Sequence, residues 1–247
     1  MSNNMVKTTS EEKPTKKEEG LVKKMLEVGV HFGHSKSRKN PRMTPYISTI
    51  RNNINIIDLE SSATKLQEAL DFIKETVSKG GIMLFVGTQP QAKQITMAAA
   101  QECGMPYVVE RWIGGILTNF KVIRKRVEYL KDLEKKKAAG ELAKYTKKEQ
   151  MLFDEEMEKL NKKFGGIKEL NKLPDTLLIL SVKKSLAAVR EAQREKIPII
   201  GLADTDSDPT TIDYPIPSND EAISVLEFML DKFKEVILTS QKSKVKS

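Results

Sequence analysis

Apolar residues along the chain fall into two kinds of block that alternate. Short, uninterrupted apolar runs rich in β-branched residues occupy 82–87, 176–182 and 198–204. Amphipathic blocks of helical length occupy 61–79, 90–103, 184–195 and 219–238. Uninterrupted apolar strands that alternate with helices are typical of a parallel sheet covered on both faces. The pattern therefore predicts an α/β fold with a parallel sheet and helices on both of its faces.

Two segments depart from this alternation. In YISTIRNNINIIDL, two short strand-like runs flank Asn52 and Asn53, so we expect an extended, hairpin-like arm that leads into the first core helix. Residues 118–165 carry no strand pattern. They contain two sets of apolar residues at coiled-coil spacing, namely Phe120, Ile123, Val127 and Leu130, then Phe153, Met157, Leu160 and Phe164. We predict an inserted antiparallel coiled-coil helical hairpin that projects from the α/β domain.

These patterns divide the chain into four segments. Residues 1–20 and 239–247 are polar and are predicted to be a disordered N-terminal extension and a disordered tail. Residues 21–117 and 166–238 are predicted to form the α/β domain. Residues 118–165 are predicted to form the protruding helical hairpin between its two parts.

The charge balance favours a polyanionic partner. The chain has 42 basic and 34 acidic residues, a formal net charge of +8 and an isoelectric point of about 9.3. Nucleic acid is the first expectation and an acidic membrane surface the second. Cys103 is the single cysteine, which excludes an intrachain disulfide and indicates a reducing compartment. Because no apolar run reaches the length of a membrane span or resembles a secretory signal, we expect a cytoplasmic protein.

Most enzyme classes lack their signature parts in this sequence. A phosphate-binding loop would be expected after the first strand of such a sheet, yet the chain contains no G-x-G pattern and no Walker loop. A G-x-S-x-G elbow is also missing from the sequence, and Cys103 lies in the helical pattern ITMAAAQEC, which is typical of a buried structural thiol. We therefore do not expect an enzyme or a small-molecule substrate.

Basic residues concentrate in two windows that contain no acidic residue, 28–57 and 111–127. Arginine and lysine bind phosphates, while amide and aromatic side chains stack on or read exposed bases. The RNA-binding candidates are Lys36, Arg38, Lys39, Arg42, Arg51, Asn52, Arg111, Trp112, Asn119, Lys121, Arg124, Lys125 and Arg126. For Trp112, an anchor in the core is an equally good interpretation.

Both histidines lie in the first window, but His31 and His34 alone fall short of the three or four protein ligands that zinc usually takes. The carboxyl ends of parallel strands meet at one edge of a sheet, so the strand at 198–204 should bring Asp204 to that edge. Asp220 and Glu221, before the last helix, could come near. A possible structural zinc or magnesium site therefore comprises His34, Asp204, Asp220 and Glu221, although the function requires no cofactor. Alternatively, the acidic residues form turns and a helix cap, and the histidines bind RNA or the backbone.

Six motifs in order resemble the bacterial small-subunit ribosomal protein S-two family. They are VGVHFGHSKSRKNPRMTPYI, RNNINIIDL, LFVGT, RWIGGILTNF, LPDTLLI and DTDSDP followed by IPSNDEAI. The resemblance runs from about residue 20 to residue 238. It implies a flavodoxin-like sheet with a helical hairpin, and a structural protein of the small ribosomal subunit that binds rRNA. It also implies contacts with other small-subunit proteins, among them the mRNA-binding ribosomal protein S-one.

Two alternatives stay open at this point. The same sheet could belong to a sugar-phosphate or nucleotide-binding enzyme, which the missing phosphate loops argue against. The chain could also be an RNA-binding regulator outside the ribosome. Only the resemblance, and no pattern of charge or spacing, separates this regulator from a ribosome-bound protein.

Overall fold

The computed structural model describes residues 16–245. Its helices are α1 (Lys16–Val28), α2 (Leu59–Ser78), α3 (Lys93–Glu102), α4 (Phe120–Ala138), α5 (Lys147–Phe164), α6 (Leu186–Glu195) and α7 (Ile223–Val245). Its strands are β1 (Phe32–Ser35), β2 (Ile47–Arg51), β3 (Ile54–Ile57), β4 (Met83–Val86), β5 (Tyr107–Val108), β6 (Thr176–Ile179), β7 (Ile199–Ala203) and β8 (Tyr214–Pro217). None of the helices within these residues is long and apolar enough to cross a membrane.

The main sheet has five parallel strands in the order β5-β4-β6-β7-β8. If the five strands of this sheet are numbered from one to five in chain order, their order in the sheet is two-one-three-four-five. This is the order of flavodoxin-like folds. Every residue of β4, β6 and β7 is buried, which explains why these strands are uninterrupted apolar runs in the sequence. The predicted α/β fold with a parallel sheet is confirmed.

Helices cover both faces of this sheet. Successive residues of a strand point to opposite faces, so each strand contributes side chains to two apolar clusters. Met83 and Phe85 of β4 belong to the apolar cluster that includes residues of α1, α2, α3 and α7. Leu84 and Val86 belong to a second cluster with residues of α4, α5 and α6. The first cluster also holds Phe233, a fully buried aromatic residue of α7.

The sequence patterns did not reveal the two edge strands. β8 has the sequence YPIP, and proline disfavours strand assignment because it cannot donate a ladder hydrogen bond. At the edge of the sheet one side of the strand needs no partner, so Pro215 and Pro217 are tolerated there. β5 has only two residues, too few to produce a pattern.

A second, smaller sheet forms the predicted arm. Its antiparallel strands lie in the order β1-β3-β2, and a tight turn connects β2 to β3. Asn52 and Asn53 occupy this turn with φ values of 49° and 63°, the left-handed conformation that two-residue hairpin turns require. The predicted hairpin-like arm is confirmed, and β1 adds a third strand to it.

Both ends of the described chain are more helical than predicted. Residues 16–20, inside the segment 1–20 predicted to be disordered, form the start of α1, while residues 1–15 lie outside the described residues. The helix packs on α2 and α7, and Met25 is fully buried there.

At the other end, α7 continues through residues 239–245 of the predicted disordered tail, and residues 246–247 lie outside the described residues. Ser240 is buried, and Gln241 Nε2 donates to the Cys103 carbonyl at 2.9 Å. These contacts hold the polar end of the helix against α3. The first turn of α7 is preceded by Asn219, whose side chain accepts from the N–H groups of Glu221 and Ala222.

Helices α4 and α5 follow one another between β5 and β6 and pack together through Leu130, Leu133 and Met157. The capping box of Thr146 and Glu149 begins α5. The apolar residues of the two helices do not contact only each other. Ile123, Val127 and Phe164 belong to the apolar cluster of the sheet, so the end of the pair nearest the sheet is part of the core.

Because only the end of the α4–α5 pair nearest the sheet is part of the core, mutations at the two ends should lower the free energy of unfolding by different amounts. Ile123→Ala should lower the free energy of unfolding by about 2–4 kcal/mol, because it opens a cavity in the core. Replacing residues 135–155 by a short Gly-Ser linker should leave cooperative unfolding of the sheet intact. Thermal denaturation followed by circular dichroism measures both. Loss of cooperative unfolding in the shortened protein would show that the far end of the pair also supports the core.

Candidate nucleic-acid interface

The basic arm, residues 28–57, folds over the edge of the main sheet where the strand carboxyl ends meet. The backbone N–H of His34 donates to Thr205 Oγ1 at 2.9 Å, and the N–H of Asn40 donates to the Thr205 carbonyl at 2.8 Å. Gly33 passes so close that an added Cβ would lie 2.4 Å from Thr205 Cγ2. Only glycine allows this approach, so the sequence FGH fixes where the arm crosses the edge.

His34 connects the arm to the acidic residues after β7. Its Nδ1 lies 2.8 Å from Asp204 Oδ2, and its Nε2 lies 3.6 Å from Asp206 Oδ2 and 3.7 Å from Glu221 Oε1. The hydrogen bond to Asp204 raises the pKa of His34 to about 9, against the opposing effect of burial and with the help of the negative charges of Asp204, Asp206 and Glu221. The imidazole is therefore a cation at neutral pH and neutralises part of this acidic cluster.

Asp220, which is buried like Asp204, has a different environment. Its Oδ2 accepts a hydrogen bond from Ser181 Oγ at 2.5 Å. Burial raises the pKa of Asp220 to about 7, an effect that the Ser181 bond opposes and that the charges of Asp204 and Asp206 increase. A carboxyl group with this pKa carries its proton for part of the time at neutral pH, which reduces the repulsion within the cluster.

Two lysines neutralise the remaining acidic groups. Lys183 Nζ is 2.6 Å from Asp206 Oδ2, and Lys184 Nζ is 3.3 Å from Glu221 Oε1. Both lysines follow β6, whose carboxyl end lies beside that of β7 in the sheet. No sequence pattern predicts these pairs, because the lysines are distant in the chain from the acids that they meet.

The four proposed metal ligands are therefore only partly brought together. His34 meets Asp204 and faces Glu221, whereas Asp220 is hydrogen-bonded to Ser181. Within residues 16–245 no group of three or more His, Cys, Asp or Glu side chains is arranged to hold a metal ion. The geometry is that of a network of hydrogen bonds and ion pairs, and the zinc or magnesium site stays a prediction.

Most RNA-binding candidates of the arm face solvent. Those with exposed side chains are Lys36, Arg38, Arg42, Arg51 and Asn52, and Lys39 is half-buried. Arg42 differs from the others because its guanidinium pairs with Asp208 and donates to Thr210 Oγ1 at 3.0 Å. It holds the arm against the segment after β7, so its charge is already partly compensated.

A single carboxylate, Glu191 of α6, organises the segment 112–118 that begins the second basic window. Glu191 Oε1 accepts from Trp112 Nε1 at 3.0 Å and from the Gly115 N–H at 2.8 Å. Its Oε2 accepts from the N–H groups of Leu117 at 3.0 Å and Thr118 at 3.3 Å. Burial would raise the pKa of Glu191, but these donors together hold it below its ordinary value. The carboxylate thus replaces backbone partners that this irregular loop lacks.

Trp112 is packed in the core. Its side chain is 8% exposed, lies in the apolar cluster with α4 to α6, and donates its indole N–H to Glu191. These contacts favour the interpretation of Trp112 as a core anchor, and its contact with RNA stays a prediction. The other candidates of this window are exposed, namely Arg111, Asn119, Lys121, Arg124, Lys125 and Arg126. Among them Arg124 also contacts Glu128 and the Asn171 carbonyl, each at 3.1 Å.

Comparison with known proteins decides the family. The sequence model described as "Ribosomal protein S2" matches residues 25–240. The chain belongs to the ribosomal protein S2 family. It is 47% identical over 220 residues to "Small ribosomal subunit protein uS2" of Roseiflexus sp. (strain RS-1), an alignment that covers 89% of this chain and 84% of that protein. It is 42% identical to the uS2 of Dehalococcoides mccartyi (strain CBDB1) and 43% identical to that of strain ATCC BAA-2266 / KCTC 15142 / 195, with 89% of this chain and 90% of each relative covered.

Membership of the S2 family means that the chain is a structural, non-enzymatic protein. The expectation that it is not an enzyme is confirmed on this ground. The parallel sheet, the arm over its edge and the segment held by Glu191 are thus the framework of an S2 protein.

Glu191→Gln should lower the free energy of unfolding by roughly 2–3 kcal/mol, because an amide cannot accept from all the donors that the carboxylate satisfies. Urea denaturation of the variant and of wild type measures the difference. Glu195→Gln is the matched control, since Glu195 is an exposed residue of the same helix. Equal stability of the two variants would contradict the role assigned to Glu191.

The raised pKa of His34 predicts a loss of stability at alkaline pH. A histidine that binds its proton more tightly in the folded state stabilises fully below its unfolded pKa of 6.5, and this contribution is lost as the pH rises toward about 9. Melting temperatures in a metal chelator should therefore fall between pH 6.5 and 9 in wild type, and fall less in His34→Gln. Parallel curves for the two proteins would show that His34 is not a cation at neutral pH.

Proposed function

We propose that the chain is a structural, rRNA-binding constituent of the small ribosomal subunit, ribosome-bound in the cytoplasm, and that it contributes to subunit assembly and translation. The observation that carries the proposal is the separation of charge in a member of the S2 family. The acidic residues at the sheet edge are buried or paired with His34, Lys183 and Lys184, whereas the basic residues of the arm and of the second window point outward. Such a surface attracts phosphates, because its basic residues outnumber the acids paired with them, Asp208 at Arg42 and Glu128 at Arg124.

A sugar-phosphate or nucleotide enzyme is not favoured. In a doubly wound sheet, small ligands bind in the crevice at the carboxyl ends of the strands. Here the arm lies over that edge, with His34 seated on Asp204 and Asn40 bonded to Thr205. This arrangement supports the use of the edge as an attachment point for the arm. A regulator outside the ribosome is not favoured either, because the named relatives are proteins of the small subunit.

Helices α4 and α5 are proposed to form a projecting antiparallel coiled-coil hairpin that docks on a neighbouring molecule. Their far halves contact each other through Leu130, Leu133 and Met157, outside the two clusters of the sheet. Met151 and Leu152 of α5 are 64% and 56% exposed, which is costly for large apolar side chains unless they serve a contact. Other small-subunit proteins are the partners that this surface suits, and the family resemblance adds ribosomal protein S-one as a further proposed partner.

A structural metal ion remains a separate proposal. The oxygen atoms of Asp206 and Glu221 face His34 Nε2 at 3.6 and 3.7 Å, so small movements of these side chains would be needed to share one ion. Zinc and magnesium analysis of the purified protein, with His34→Ala and Asp204→Ala as comparisons, measures it. Equal metal content in all three proteins would refute the site.

The placement on the ribosome predicts the sedimentation of the protein. In a sucrose gradient of a cell lysate, nearly all of it should travel with small subunits and whole ribosomes. The variant Lys36→Ala/Arg38→Ala/Lys39→Ala should be depleted from these fractions, because three outward charges of the arm are lost. The control Lys23→Ala/Lys24→Ala/Lys74→Ala removes three exposed charges from α1 and α2 and should sediment as wild type. A wild-type protein found mainly at the top of the gradient would overturn the proposed function.

A further inference from the structure

Helix α6 lies between the two basic windows, as its hydrogen bonds show. Gln193 Nε2 donates to the Thr211 carbonyl at 2.8 Å. The neighbouring Thr210 accepts from Arg42, the residue that anchors the arm. One side of α6 therefore adjoins the segment against which the arm is fixed.

The other side of α6 adjoins the second window. Glu191 binds the segment 112–118 directly, and this segment is continuous with Arg111 before it and Asn119 after it. The helix therefore contacts both the segment that anchors the arm and the segment that begins the second window. An RNA strand that contacts both windows by the shortest path would pass over the outer surface of this helix.

That outer surface carries three exposed cations, Arg190, Arg194 and Lys196. Arg190 and Arg194 are four residues apart and so share one stripe of the helix. Within residues 16–245 none of the three forms an ion pair, so their charges are not neutralised by acidic side chains.

Most acidic residues near these cations already have other partners, so most of the positive charge of the cations is uncompensated. Glu191 is held by the donors of the segment 112–118, and Asp208 pairs with Arg42. Asp213 accepts from the Ile199 N–H at 2.9 Å, so it too has a partner. Glu195 is the acidic residue of α6 that faces solvent. The surface is thus positive overall and suits a phosphate chain.

Lys196 is in a conformation that favours glycine. It ends α6 with φ 56° and ψ 37°, the left-handed region, and its N–H bonds the Gln193 carbonyl. Glycine is the usual residue at this position of a helix end, because a side chain is strained there. Despite this strain, the position holds a lysine, which places an exposed cation at the C-terminal end of α6.

We propose that α6 is a third RNA-contacting element, in which Arg190, Arg194 and Lys196 bind phosphates of the RNA between the arm and the second window. The proposal rests on the proposed function, since it adds contacts to the same ligand. It extends the two windows into one continuous basic surface. No charge pattern in the sequence predicts this surface, because α6 also contains the acidic residues Glu191 and Glu195.

Salt-dependent binding to purified small-subunit ribosomal RNA tests the proposal. The slope of log affinity against log salt should become shallower by about 1.4–1.8 in Arg190→Ala/Arg194→Ala, because each lost phosphate contact removes about 0.7–0.9. The control Lys23→Ala/Lys24→Ala removes the same charge from α1, on the opposite face, and should leave the slope unchanged. Equal slopes for the two variants would overturn the proposal.

The variant Lys196→Gly distinguishes the contribution of the Lys196 side chain to RNA binding from the effect of its backbone conformation on stability. The change should raise the melting temperature, because it relieves the left-handed strain, and yet make the slope shallower by about 0.7–0.9. Unchanged RNA binding in this variant would remove Lys196 from the surface. If wild type itself fails to bind the RNA, the proposed function fails; if wild type binds and the α6 variants match the control, only the present inference fails.

Discussion

The seating of the basic arm on Asp204 and Thr205 is the constraint on which the character of the surface depends. His34 bonds Asp204, and the backbone of His34 and Asn40 bonds Thr205, so the arm is fixed over the edge that ligands of similar sheets occupy. Arg42 at Asp208 and the buried side chains of Val30 and Met43 hold the arm in the same place. Together these contacts make a fold suited to small ligands a support for an extended basic surface.

Both basic windows are held in the same physical way, by carboxylates that face inward. At the sheet edge the acids accept from His34, Ser181 and Lys183. Under the second window Glu191 accepts from an indole and from backbone N–H groups. In each case the negative charge is compensated by partners within the molecule, where a low dielectric strengthens the hydrogen bonds. On the outward surface Arg42 pairs with Asp208 and Arg124 with Glu128, and the other arginine and lysine candidates of the two windows are left for a phosphate chain.

The sequence predicted the layers of the fold well, and the reasons are physical. Strands β4, β6 and β7 are buried on both faces and therefore form uninterrupted apolar runs. The Asn52-Asn53 turn and the convergence of His34 with Asp204 were also predictable, since turn chemistry and strand direction are local rules.

What could not be predicted depends on contacts between distant segments. Lys183 and Glu191 have partners 23 residues away or more, and nothing in their own helix or loop marks them. The burial of Trp112 could not be predicted for the same reason, because it depends on contacts with α6. Helix α7 extends past residue 238 because Gln241 finds the Cys103 carbonyl, a partner far away in the chain.

The central claim is that RNA binds one side of the molecule, formed by the arm and the second window. Amide hydrogen exchange of the protein, free and bound to small-subunit ribosomal RNA, tests it most directly because it maps protection along the chain. The account predicts new protection in residues 34–53 and 111–126, with α2 and the first half of α7 unchanged. Protection concentrated on α2 and α7, with exchange in the arm unaltered, would contradict it.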